Sequence, residues 1–165
     1  MGTYRFSVHA NLAPTEALFL WADLDRVTAW MRGVRRVSDV AGRPNRPDFT
    51  LPGHTTPLVI APGSRYTLWF RLGPVRHEVL SVDDPASTAT HRTRLEGRFR
   101  RGEMLVTFEP EVSGSLVTLQ VRTDGLLPRI AGRVLATGSF PGTFRGHLRS
   151  FARLAERERL SKLVI

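Results

Sequence analysis

The order of apolar patterns along the chain constrains its fold more than any single residue does. Tyr4, Phe6, Val8 and Ala10 alternate with Arg5, Ser7 and His9, the period-two pattern of a half-buried strand. Two short helical pieces follow. Phe19, Leu20, Asp23 and Leu24 carry the first, and Val27 to Met31 the second. Asn11 can cap the first piece, Pro14 suits an opening turn that needs no N–H, and Glu16 sits near the positive helix end. Gly33 then stops the second. Strand-like runs come next at Val34 to Val40, Ser64 to Leu72, Val75 to Val82, Ala89 to Glu96, Glu103 to Glu109 and Leu116 to Thr123. Between the later runs lie turn signals at Gly73-Pro74, Asp83-Asp84-Pro85, Gly97 to Gly102 and Ser113-Gly114. The chain closes with a segment from about Leu127 to Glu158 that has Ile130, Val134, Phe144, Leu148, Phe151 and Ala155 at helical spacing. Gly138 to Gly142, containing Pro141, is expected to kink or break it.

This order predicts an α+β architecture. A curved antiparallel sheet of about six to seven strands wraps around a long C-terminal helix, with two short helices after the first strand. Such a sheet and helix enclose a space that side chains need not fill, which points to small-molecule binding. The segment Gly42 to Gly63 is rich in proline and has little periodicity. Loops of that length are usually functional or mobile, and Phe49 and Leu51 within it read either as a lid over the opening, with the break near Pro141 opposite, or as a static decoration packed on the sheet.

Composition narrows the remaining choices. At 165 residues the chain reads as a single domain, 1–165, able to bury roughly 70% of its unfolded surface. The longest apolar run, Ala17 to Ala22, is far short of the roughly 20 residues that span a bilayer. No basic stretch followed by an apolar core opens the sequence, so it reads as cytoplasmic. The chain has no cysteine, which excludes disulfides and thiolate chemistry. Net charge is +9, carried almost wholly by arginine. So strong a bias is also what a GC-rich genome produces, so the charge is not read as nucleic-acid binding and no nucleic-acid partner is expected.

Several stretches together resemble the START-like helix-grip superfamily (SRPBCC), in particular its polyketide cyclase/dehydrase and lipid-transport branch. Ala13-Pro14-Thr15-Glu16, then Asp23 and Asp25 to Met31, are similar to its helix pair ending in tryptophan. Gly33 to Val37 looks like the strand after it, and Pro62-Gly63-Ser64-Arg65-Tyr66 like its third strand. Phe108-Glu109-Pro110 and the Arg- and Leu-rich end also fit. The resemblance covers nearly the whole chain. It implies a helix-grip fold that holds a small hydrophobic ligand, lipid or polyketide-like. It also implies, as an alternative, a cyclase or dehydrase in which a cavity histidine or tyrosine moves protons.

Strand alternation assigns the inward faces. Tyr66, Leu68 and Phe70 point in, as do His77 and Val79, then Ala89, His91, Thr93 and Leu95, then Met104, Val106 and Phe108, then Val117, Leu119 and Val121. Phe144, His147 and Phe151 reach the same space from the closing helix. The expected ligand contacts are therefore Tyr66, Leu68, Phe70, His77, His91, Thr93, Val106, Phe108, Leu119, Phe144, His147 and Phe151. His77 and His91 read first as core or rim histidines bonded to a carbonyl, then as ligand contacts or acid–base groups, and His147 reads equally as a surface residue. Trp21, Trp30 and Trp69 read as pocket-mouth or packing residues, with Trp30 seating the helix pair on the sheet. His9 faces outward. No histidine pair has metal-ligand spacing, and no phosphate loop, nucleophile elbow or dinucleotide fingerprint is present, so neither metal nor cofactor is expected. Arg145, Arg149, Arg153 and Arg157 recur every four residues and share one helix face. Either Glu156 and Glu158 relieve that face, or it meets an anionic partner, which makes an interaction protein the third functional class.

Overall fold

The alternation at the N-terminus becomes β1 (Gly2–Ala10), with Phe6 and Ala10 buried and Arg5, Ser7 and His9 outward. The structure is a computed structural model and describes residues 2–42, 62–71, 73–83, 91–99, 102–123 and 140–163. The helix pair follows as α1 (Pro14–Ala22) and α2 (Val27–Trp30). The cap is not Asn11: the Ala13 N–H donates to the Glu16 carboxylate at 3.3 Å, so glutamate in the first turn closes the helix start. Then come β2 (Val34–Ala41), β3 (Arg65–Phe70), β4 (Gly73–Asp83), β5 (Thr93–Phe99), β6 (Gly102–Glu111) and β7 (Gly114–Thr123), and the chain closes with α3 (Phe140–Leu163).

The strands form one antiparallel sheet in the order β1-β7-β6-β5-β4-β3-β2. From β2 to β7 each strand pairs with the next. β1 instead pairs with β7, so β1 and β2 stand at opposite edges and the helix pair carries the chain between them. α1 lies across β5, β6 and β7, α2 packs on β2, and α3 runs along β1 and touches both short helices. No described helix makes a comparable contact with β3 or β4. A sheet gripping a C-terminal helix, with a helix pair after its first strand, is the helix-grip fold.

Ring packing under the helices closes one half of the concave face. Trp21 lies 4.4 Å from Trp30 and 5.1 Å from Phe151, and Trp30 lies 5.3 Å from Phe151. Trp21 also meets Phe108 edge-on at 6.2 Å, which ties the helices to the sheet. Trp30 is therefore buried, but against α3 and α1; Trp21 makes the ring contact with the sheet.

Both ends of β5 differ from the sequence expectation. α3 is described from Phe140, within the expected break at Gly138 to Gly142; residues 124–139 lie outside the described residues, as do Ala89, Phe49, Leu51 and the expected lid. β5 begins at Thr93, later than expected, and runs through Gly97 to Phe99. Gly97 is not a turn: it faces Met104 across the ladder, and a Cβ there would stand 3.2 Å from the Glu78 carbonyl oxygen. Close backbone approach, not chain reversal, explains that glycine.

Candidate functional site

The half of the concave face formed by β3, β4 and β5 carries the most unusual polar group. Tyr66 pairs directly with His77, and His77 with Phe99, across two adjacent ladders. Direct opposition brings same-face side chains together. The Tyr66 and His77 rings stack nearly parallel, 5.2 Å apart with 2° between planes, and Phe99 leans on His77 at 5.8 Å. Tyr66 is buried. His77 is half-buried as a residue, but its Nδ1 is enclosed and has no hydrogen-bond partner. Burial pushes the His77 pKa down to about 4, and pushes the Tyr66 phenol up. At neutral pH both are uncharged, so this wall offers aromatic surface with one unused imidazole nitrogen. Leaving such an atom unpaired costs about 1–3 kcal/mol.

The other expected contacts divide by depth. Leu68, Thr93, Val106, Phe108, Leu119 and Phe151 all face inward and are core residues, each no more than 3% exposed. The Thr93 hydroxyl donates to the Pro14 carbonyl at 3.4 Å, so its polar atom is engaged by α1. Phe70 is half-buried at the inward end of β3. Phe144, also half-buried, stacks on Phe6 at 6.0 Å and meets His147 edge-on at 5.9 Å. His147 is buried, not on the surface, and its Nε2–H donates to the Arg32 carbonyl at 2.9 Å. Burial lowers its pKa, outweighing the carbonyl bond that raises it. It is a core histidine satisfied by backbone.

His91 does not point inward. It is exposed on a bend before β5, because alternation was extended past the point where the strand starts. Trp69 also leaves the pocket mouth: it faces outward, donates from Nε1 to Ser38 Oγ at 2.8 Å, and carries the Arg36 guanidinium 4.4 Å above its ring.

Sequence reasoning passed over a polar clasp on the opposite rim. His9 Nδ1 lies 2.6 Å from Glu111 Oε2, and its Nε2 lies 3.0 Å from Asn11 Oδ1 and 3.3 Å from Ser113 Oγ. Asn11 donates its amide N–H to Glu156, which fixes Oδ1 toward His9. Two acceptors on one ring favour the imidazolium, and the Glu111 bond is the chief cause raising the His9 pKa. Beside the clasp a cleft of about 340 Å³ is lined by Leu12, Glu16, Val112, Arg159 and Lys162 among others. A second cleft, about 270 Å³, lies over Leu105 and Gln120 on the other face of the sheet. None of the expected ligand contacts lines either cleft. No signal within a strand announces the clasp, since its partners lie 102 and 145 residues apart. Among the described residues no group of three His, Asp or Glu side chains is placed to hold a metal ion, and no helix is long and apolar enough to cross a membrane.

The site and scaffold together define a helix-grip protein with an aromatic concave wall. No protein-family model and no curated protein matches the chain. Its fold is similar to solved structures. A hypothetical protein from Helicobacter pylori aligns with a TM-score of 0.66 at 10% identity, over 93% of this chain and 86% of that one. A protein from Thermus thermophilus aligns at 0.60 and 19% identity, over 95% and 99%. The AHSA1-like protein from Aeromonas hydrophila aligns at 0.55 and 17% identity, over 96% and 95%. At these identities the likeness is one of fold.

Proposed function

We propose that this protein binds a small hydrophobic or aromatic molecule, lipid- or polyketide-like, between sheet and C-terminal helix, against the β3–β5 part of the concave face. The observation that carries the reading is the Tyr66–His77 stack with its enclosed, unpartnered Nδ1. Pockets for small molecules are mainly apolar, with a few placed polar groups that orient the guest. Neutral imidazole has one donor and one acceptor nitrogen. A hydroxyl can bond Nδ1 in either tautomer, so the favoured guest is an apolar or planar molecule with a hydroxyl.

Binding without chemistry is the stronger form of this reading. Proton transfer by histidine calls for a third group that orients the ring, and His77 has no carboxylate or hydroxyl partner among the described residues. The test is calorimetric titration with 2-naphthol, a neutral aromatic hydroxyl probe. His77→Phe keeps a ring on Tyr66 and deletes the nitrogen. It should weaken binding about three- to tenfold, the worth of one hydrogen bond. Thr3→Ala, on the far side of β1, should leave affinity unchanged. No saturable binding, or binding indifferent to His77, overturns the proposal.

A further inference from the structure

The solvent face of α3 carries a row of arginines whose charge the fold leaves uncompensated. Arg145, Arg149, Arg153 and Arg157 are all exposed, opposite the buried Leu148, Phe151 and Ala155. Among the described residues none of them has a carboxylate within ion-pair distance, whereas Arg26, Arg65, Arg92, Arg94 and Arg98 all do. The two acids expected to relieve the row are engaged elsewhere. Glu158 is paired with Arg26, and Glu156 accepts from Asn11. Arg32 adds another guanidinium, since its side chain lies against Gly146, 3.6 Å from where a Cβ would stand. Like charges four residues apart destabilise a helix, so the row is not there for the stability of α3.

The row spans about 18 Å of helix and drifts about 40° around the axis at each step. The side chains therefore fan over a convex surface, with the Arg145 guanidinium 5.8 Å from the Phe6 ring centre and Leu160, 52% exposed, one turn beyond Arg157. A fan of long, flexible cations with an exposed apolar residue at its end fits a plane of phosphates better than a single polyanion strand. No aromatic side chain interleaves the row, as stacking on nucleic-acid bases would require.

We propose that this face of α3 docks the protein on an anionic phospholipid surface. The inference does not depend on what the concave face binds. The test uses the full chain and flotation with phosphatidylcholine vesicles, with and without about 30% phosphatidylglycerol, at low and high salt. Binding is expected only with the anionic lipid and is lost as salt rises. The triple variant Arg149→Gln, Arg153→Gln, Arg157→Gln should weaken it on the order of a hundredfold, from about fivefold per arginine near such a surface. A control triple, Arg65→Gln, Arg92→Gln, Arg94→Gln, removes the same charge from the sheet and should change binding far less. Circular dichroism should show the α3 triple melting no lower than the parent, which keeps folding out of the comparison. Equal loss in both triples would make the effect one of net charge and overturn the proposal. So would absence of vesicle binding, or binding of duplex DNA through the same arginines in preference to vesicles.

Discussion

Acidification should destabilise this fold through His77, by an amount that follows from its burial. The ring titrates at 6.5 when exposed and at about 4 in the folded chain, where burial disfavours its charged form. Between those values the unfolded chain takes up a proton that the folded chain refuses. Stability is therefore lost as pH falls from 6.5, and the loss levels off below about 4. A gap of about 2.5 units at about 1.4 kcal/mol per unit gives a full loss of about 3.5 kcal/mol, of which about 3 falls between pH 7 and pH 4, a large part of a typical 5–15 kcal/mol. His77→Phe lacks the titration but keeps the stack on Tyr66. Urea unfolding of both proteins at pH 7, 5.5 and 4 isolates the term, because other groups cancel in the difference. The parent's advantage over the variant should shrink, or its deficit grow, by about 3 kcal/mol across that range. A difference that stays constant with pH, or an NMR titration of His77 near 6.5, would refute the claim that this nitrogen is enclosed.

Three further perturbations probe the frame. Trp30→Ala removes a ring packed against Trp21 and Phe151 and should cost about 3–5 kcal/mol; a melting temperature within a degree or two of the parent would contradict the packing. Gly97→Val places a branched side chain against the Glu78 carbonyl and Met104 and should destabilise by about 1–3 kcal/mol, measured by urea unfolding. His9 has a raised pKa, so its contribution is full below 6.5 and disappears as pH rises through the folded value. His9→Gln should therefore converge on the parent's melting temperature toward pH 9 and differ from it at pH 6.

The sequence was most legible where period and burial coincide. Alternation placed Phe6, Val106, Phe108, Leu119 and Val121 on the inner face, because one face of those strands meets the core. Alternation says which way a residue points only within a strand, and His91 was misplaced because nothing local marks where β5 begins. Gly97 reads as a turn residue by type, yet its role is set by the neighbouring Glu78 carbonyl. The Tyr66–His77 stack depends on the β3–β4 register, which two inward-facing assignments do not contain. By spacing alone Glu156 and Glu158 could relieve the arginines; their actual partners, Asn11 and Arg26, are distant in sequence and near only in the fold.

The most direct test of the account watches the His77 imidazole while a guest binds. In ¹⁵N-labelled protein at pH 7, titration with 2-naphthol should move the His77 Nδ1 resonance saturably, with the midpoint found by calorimetry. His147, already bonded to the Arg32 carbonyl, should stay within a small fraction of that shift. Saturable binding that leaves the His77 ring unmoved would contradict the claim that its free nitrogen anchors the ligand.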